Sequence, residues 1–203
     1  MARDTSKGAD QARRVSRPRR DRRQALIDAA IELIGEGGDA DISAAAISRR
    51  AGVAHGLLFY YFTDKQGLVA AALTDVLAKL ATFQSPRVDE RTTRARLEGF
   101  VRRHIEFLEN YRTVYVKMVR EGMLADPDIE RVIQDARAEG ARQVARLAGL
   151  GEPLQPLTRA AIRGWVGFLD QAADEYFEAP ELDLDPLVEL TVDTLLGVIE
   201  ALD

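Results

Sequence analysis

The sequence predicts an all-α protein, and three observations carry that expectation. Apolar residues recur at three- and four-residue intervals through most of the chain. No segment shows a convincing strand-like alternation of apolar and polar residues. Polar breaks containing glycine or proline, at 37–38, 85–90 and 149–156, separate the periodic segments.

The elements follow in order. Residues 1–18 mix Asp, Ser, Gly, Gln and Arg without an apolar period and read as a disordered basic arm carrying Arg13, Arg14 and Arg17. RRDRRQALIDAAIELIGEGG places Ile27, Ala30, Ile31 and Ile34 on one helical face, with Gly37 and Gly38 as the stop. Ser43 is the expected N-cap of a short helix running through Ile47 to Ala51, and Gly52 ends it in the left-handed conformation. After Val53, a further helix begins at Ala54 or His55. It contains four consecutive aromatics, Phe59 to Phe62, in a chain that is only 6% aromatic. Successive helical side chains point about 100° apart, so the four cannot share one core. Leu58 and Phe62, four apart, are the expected buried pair; His55, Gly56, Leu57, Tyr60 and Tyr61 turn wholly or partly outward. Thr63-Asp64-Lys65-Gln66 has capping-box spacing before a long helix containing Leu68, Val69, Ala72, Val76 and Leu80. Beyond the 85–90 break, Leu97, Val101, His104 or Ile105, and Leu108 form one face. Val114, Met118 and Val119 mark a shorter helix, and Pro127 opens one carrying Ile129, Val132, Ile133, Ala136, Val144 and Leu147. Two last helices are expected, from about Leu157 to Phe177 and from Asp185 to the terminus.

Composition narrows the function. The chain has no cysteine, so disulfides, thiolate catalysis and thiolate metal sites are excluded. Only His55 and His104 could supply imidazole, no HExxH, nucleotide-loop or nucleophile-elbow pattern occurs, and neither enzyme chemistry nor a metal or cofactor is expected. The start of the chain does not read as a secretory signal, no uninterrupted apolar run approaches bilayer length, and a cytoplasmic location without membrane contact is the default. The net charge of −5 is unevenly spread: residues 1–65 carry 12 Lys/Arg against 9 Asp/Glu, leaving the excess of acid to the remainder. A local basic surface, not a basic average, is what DNA requires.

Helix, glycine turn and second short helix make a helix-turn-helix candidate, which would present the start of its second helix to base edges. Small residues at Ala54 and Gly56 permit close approach, His55 offers a ring nitrogen, the Tyr60 and Tyr61 hydroxyls can donate to phosphate, and Lys65 stands at a helix N-terminus. By spacing alone, an ordinary helical hairpin with tyrosines at a core edge also fits.

ISAAAISRRAGVAHGLLFYYFTDKQGL resembles the DNA-binding domain of the TetR family of bacterial repressors over roughly residues 22–70. The resemblance rests on Ile47, Ser48, Arg49-Arg50-Ala51-Gly52-Val53, Gly56 with Leu58, the aromatics to Phe62, and Lys65 with Leu68. It implies an N-terminal three-helix helix-turn-helix domain over 19–66 and a C-terminal helical ligand-binding and dimerisation domain over 67–203. It also implies DNA contacts at Ser43, Ala54, His55, Gly56, Tyr60, Tyr61 and Lys65, a double-stranded operator and a homodimer as partners, and a small apolar or amphipathic effector. Arg22 and Arg23 belong instead to the basic block at the entry to the first helix, which is expected to contact DNA phosphates, although such a block also suits a solvated segment. The sequence departs from the family's usual pattern at Phe59 (commonly Tyr), His55 (often Lys) and Leu57 (often Thr or a small polar residue).

Two expectations concern the C-terminal region. Leu187, Thr191, Leu195 and Val198 make one apolar stripe on the last helix; Val188, Val192, Leu196 and Ile199 make another. Burial by the chain's own core on one side and by a partner on the other would account for both, as would one wide core face. His104, Phe107, Tyr111, Tyr115, Met118, Trp165 and Phe168 are candidates to line an effector pocket, although aromatics and Met at helical spacing also suit plain core.

Overall fold

The computed structural model describes residues 19–36, 42–117 and 127–202. The expected arm at 1–18, the glycines at 37 and 38, and Met118 and Val119 lie outside the described residues. Among the described residues the chain forms nine helices and no strand. These are α1 (Arg19–Gly35), α2 (Ala44–Ala51), α3 (His55–Tyr61), α4 (Lys65–Phe83), α5 (Thr93–Asn110), α6 (Arg112–Tyr115), α7 (Pro127–Leu147), α8 (Pro156–Glu178) and α9 (Leu184–Glu200).

The helix-turn-helix is built by local chemistry. The Ser43 hydroxyl accepts from Ala46 N at 3.1 Å and satisfies an otherwise orphaned amide at the start of α2. Gly52, at φ 67°, closes α2 in the left-handed region that glycine enters without a Cβ clash. Replacing Ser43 by Ala should cost about 1 kcal/mol in urea unfolding; an unchanged midpoint would mean the cap contributes nothing.

The start of α4 differs from expectation. Its N-cap is Asp64, whose Oδ1 accepts from Gly67 N at 2.8 Å. This shifts the frame by one residue from the Thr63–Gln66 pairing, and Gly67 has no side chain with which to reciprocate.

Two apolar clusters organise the chain. The first joins α1, α2 and α3 to the inner face of α4, with Leu26, Ile34, Ile47, Leu58 and Leu68 at its centre, and takes in Phe107, Val114, Ile129 and Ile133 from beyond the helix-turn-helix. The second packs α5, α7, α8 and α9 around Leu97, Ile105, Val144, Ile162 and Leu195. α4 is also long and apolar enough, by length and composition, to cross a bilayer, which no uninterrupted apolar run had suggested. Here its buried residues, among them Leu68, Val69, Ala72 and Val76, pack into the first cluster.

The double stripe on α9 is mostly internal. Leu187, Val188, Thr191, Val192 and Leu195 are all buried within the one chain, because α9 packs against both α5 and α8. One wide core face therefore accounts for these residues, and Leu195 does not face a partner. What remains outward is a different set. On α9 it comprises Leu190, 57% exposed, with Thr194 and Gly197. On α8 it comprises Leu157, 68% exposed, Ala160, Gly164, Gly167 and Phe168.

Candidate nucleic-acid interface and interior cavity

α3 buries one side and offers the other. Leu58 anchors it in the first cluster, and Phe62, just past its end, is buried beside it. Ala54, His55, Gly56, Phe59 and Tyr60 are exposed, while Leu57 and Tyr61 are half-buried. The expected inner pair is thus the observed one, and Tyr61 packs partly against the core. A Cβ added at Gly56 would meet no atom within 4 Å, so the surface is open there. His55 and Phe59, one turn apart, make an edge contact at 5.4 Å, which gives this face an apolar aromatic patch. Ser43 is half-buried and already caps α2, and Lys65 is half-buried at the first turn of α4.

Arginines from the start of α1 stand beside this face. Arg19, Arg20 and Arg23 line one cleft with Tyr60 and Tyr61. The Arg19 guanidinium lies 5.1 Å from the Tyr60 ring centre, and that of Arg23 lies 5.0 Å from the Phe62 ring centre. Arg23 therefore belongs to the basic cleft, whereas Arg22 is half-buried and does not line it. Arg19 and Arg20 take its place. Their four- and three-residue separations from Arg23 on a single helix were the available signal. Cationic groups and phenol rings converging beside an exposed helix can hold a phosphate backbone while the helix lies in a groove.

The second feature is inside. A cavity of about 80 Å³ opens between α4, α5, α7 and α8, walled by apolar side chains including Leu73, Leu77, Phe100, Leu108, Val166 and Leu169. A second, outer cavity of about 290 Å³ shares Leu77, Leu80, Gln84, Ala136 and Gly140 with it. Gln84, His104, Arg137 and Asp170 form the polar wall of the inner one. Gln84 Nε2 lies 3.1 Å from His104 Nδ1, a pairing in which the amide donates when the neutral ring carries its proton on Nε2, the side that faces Asp170. That Nε2 lies 3.4 Å from Asp170 Oδ1, too far for a good hydrogen bond. Arg137 Nε donates to Asp170 Oδ2 at 2.9 Å. Burial works to raise the Asp170 carboxyl, but His104 and Arg137 together outweigh it and hold it below its ordinary range.

Of the expected lining residues, His104 and Tyr115 face the inner cavity. Phe107, Tyr111, Trp165 and Phe168 do not, and Met118 lies outside the described residues. On α5 the cavity side follows Phe100, His104 and Leu108 at four-residue steps. Phe107 sits round from that line, stacked on Tyr111 at 4.5 Å and packed into the first cluster. Trp165 is buried against α9, where its indole N–H donates to the Thr191 carbonyl at 2.9 Å. Phe168, 38% exposed, points away from the core. Gln84, Arg137 and Asp170 were missed. Asp170 had left one signal, as a lone acid in the stripe Val166, Leu169, Ala172, Ala173.

Residues 26–72 match the family model described as bacterial regulatory proteins, tetR family. Over 59 residues the chain is 48% identical to the HTH-type transcriptional regulator BetI of Escherichia coli O139:H28; that match takes in 29% of this chain and 30% of the relative's own length. The overall fold is similar to that of a tetR-family transcriptional regulator from Streptomyces coelicolor, with a TM-score of 0.71 at 21% identity over 90% of this chain and 80% of that one. It is also similar to the transcriptional regulator FadR of Bacillus subtilis, solved in complex with stearoyl-CoA, with a TM-score of 0.57 at 19% identity over 86% of this chain and 96% of that one.

Proposed function

We propose, from the match of residues 26–72 to the tetR family model, that the protein is a dimeric, effector-responsive transcriptional repressor of the cytoplasm. Residues 19–66 act as the reading head and 67–203 as the effector and dimerisation part, with α4 shared between their cores. The observation that carries this reading is the pairing of an exposed α3 face with the Arg19, Arg20, Arg23 and Tyr60 cleft. Ala54, His55 and Gly56 approach base edges, while the arginines, Tyr60, Tyr61 and Lys65 hold phosphates. No catalytic step is assigned.

Two protomers place two reading heads on a palindromic site. The outward face of α8 and α9, apolar at Leu157, Phe168 and Leu190 and open at Gly164, Gly167 and Gly197, supports the dimer. The cavity between α4 and α7 supports the effector site, because α4 also belongs to the core of the reading head. An effector with different affinities for two arrangements of α4 shifts the protein between bound and released states. FadR, solved with stearoyl-CoA, shows this fold in complex with an amphiphile.

In vitro selection from random DNA should recover a palindromic site, bound far more tightly than random sequence at physiological salt. Recovery of no preferred sequence would overturn the reading. On the selected site, Arg20→Ala should weaken binding evenly across sequence variants and flatten log affinity against log salt by about 0.9. His55→Ala should instead change which bases are preferred.

A further inference from the structure

We propose that the inner cavity binds an apolar alcohol, with its hydroxyl between His104 Nε2 and Asp170 Oδ1 and its hydrocarbon body running outward along Leu77, Leu80, Ala136 and Gly140. This deepens the effector reading above and rests on it.

The charge of the wall selects the head group. Asp170 is matched by Arg137, which sits 2.9 Å away and is partly open to solvent, so the wall is balanced before anything enters. An ionic head would bring a further charge into an apolar enclosure and lose its hydration there without a counter-charge. A neutral head brings none. The groups that face His104 are Gln84 at the end of α4, Tyr115 on α6, Arg137 on α7 and Asp170 on α8. No second acid among them stands ready to balance a cation.

Hydrogen bonding then selects among neutral heads. His104 Nε2 is buried and without a hydrogen-bond partner, and its nearest acceptor, Asp170 Oδ1, is 3.4 Å away. A donor and an acceptor therefore lie side by side with their mutual bond stretched. A ketone or ester could only accept from His104. A hydroxyl accepts from the ring and donates to the carboxylate, and so completes both. Leaving a buried polar atom unmade is costly, so the gain falls on the ligand that supplies both halves. The inner compartment, at about 80 Å³, takes the hydroxyl and the first few carbons. Gln84, Leu77, Leu80, Ala136 and Gly140 line both compartments, and the outer one, about 290 Å³ in volume, takes the rest of the body in this proposal.

The test compares 1-octanol, octanoate and octylamine, which share one apolar body, by calorimetry on the full-length protein at neutral pH and by release of the selected operator. Octanol should bind at least about tenfold more tightly than either ion, because each ion completes only one half of the His104–Asp170 pair and brings an unbalanced charge. Its binding heat should be the same in buffers of different ionisation enthalpy. His104→Phe should remove the octanol advantage, and the wild-type series decides the matter even where that variant does not fold. Tightest binding by octanoate with proton uptake, or by octylamine, would overturn the alcohol assignment and leave the effector cavity standing. Binding by none of the three would overturn both. Tight octanol binding without operator release would keep the alcohol site and remove the switch.

Discussion

Leu190→Glu should leave each protomer folded, convert the proposed dimer to monomers at low micromolar concentration, and weaken operator binding at least about a hundredfold. The expectation comes from where Leu190 lies. It is 57% exposed on the outward side of α9, so its replacement removes little from the protomer's own core. A two-fold interface uses the same patch twice, and one substitution therefore enters it twice. If Leu190 is a central contact worth roughly 2 kcal/mol, the doubled loss is about 4 kcal/mol, or on the order of a thousandfold in the dimerisation constant. Sedimentation velocity reads the assembly directly, and far-ultraviolet circular dichroism checks that the helices persist. An intact dimer with unchanged operator affinity would remove the α8–α9 face from consideration. Leu195→Glu is the wrong test, since Leu195 is fully buried in its own chain and a carboxylate there would unfold the protomer.

The contrast between Leu190 and Leu195 shows what the sequence could and could not say. Ser43, Gly52, Leu58 and Phe62 were legible because their roles depend on neighbours three or four residues away. The α9 stripes were legible as apolar but not by partner. Periodicity marks a face for burial without naming what covers it, and α5 and α8 of the same chain cover this one. The capping error at Thr63 has a local cause, because two adjacent side chains, Thr63 and Asp64, could both cap and only geometry chooses between them. The polar wall was hidden for a different reason. His104 was legible as a pocket candidate, but its partners Gln84, Arg137 and Asp170 come from the end of α4, from α7 and from α8, and only tertiary packing brings them to its cavity.

Glu90→Ala should destabilise the protein by about 3–5 kcal/mol, the usual result of stranding one member of a buried ion pair. The stranded member is Arg103, which is only 4% exposed. Its two terminal nitrogens donate to the Glu90 carboxylate at 2.5 and 3.1 Å, and Glu90 Oε2 also accepts from Arg87 N at 2.9 Å. The pair thus ties the segment before α5 to that helix. Gly99 provides its space, for a Cβ there would collide with the Glu90 carboxylate and the Arg103 guanidinium. In an open helix Gly→Ala stabilises by roughly 1 kcal/mol, so Gly99→Ala should have the opposite sign in the wild type. Most of that penalty should disappear once Glu90 has been removed and the Arg103 guanidinium can turn away, and that non-additivity in a double-mutant cycle identifies the contact. The pH dependence follows the same pair. Burial works to raise the Glu90 carboxyl, but Arg103 and the Arg87 amide outweigh it and hold it below its ordinary value. A carboxyl lowered by folding contributes stability that is present above its unfolded pKa and lost as pH falls through the folded one. The gap between wild type and Glu90→Ala in urea unfolding should therefore be full at pH 7 and narrow below about pH 4. A gap under about 1 kcal/mol at pH 7, or one that does not narrow in acid, would mean that Arg103 is held by its packing and not by its partner.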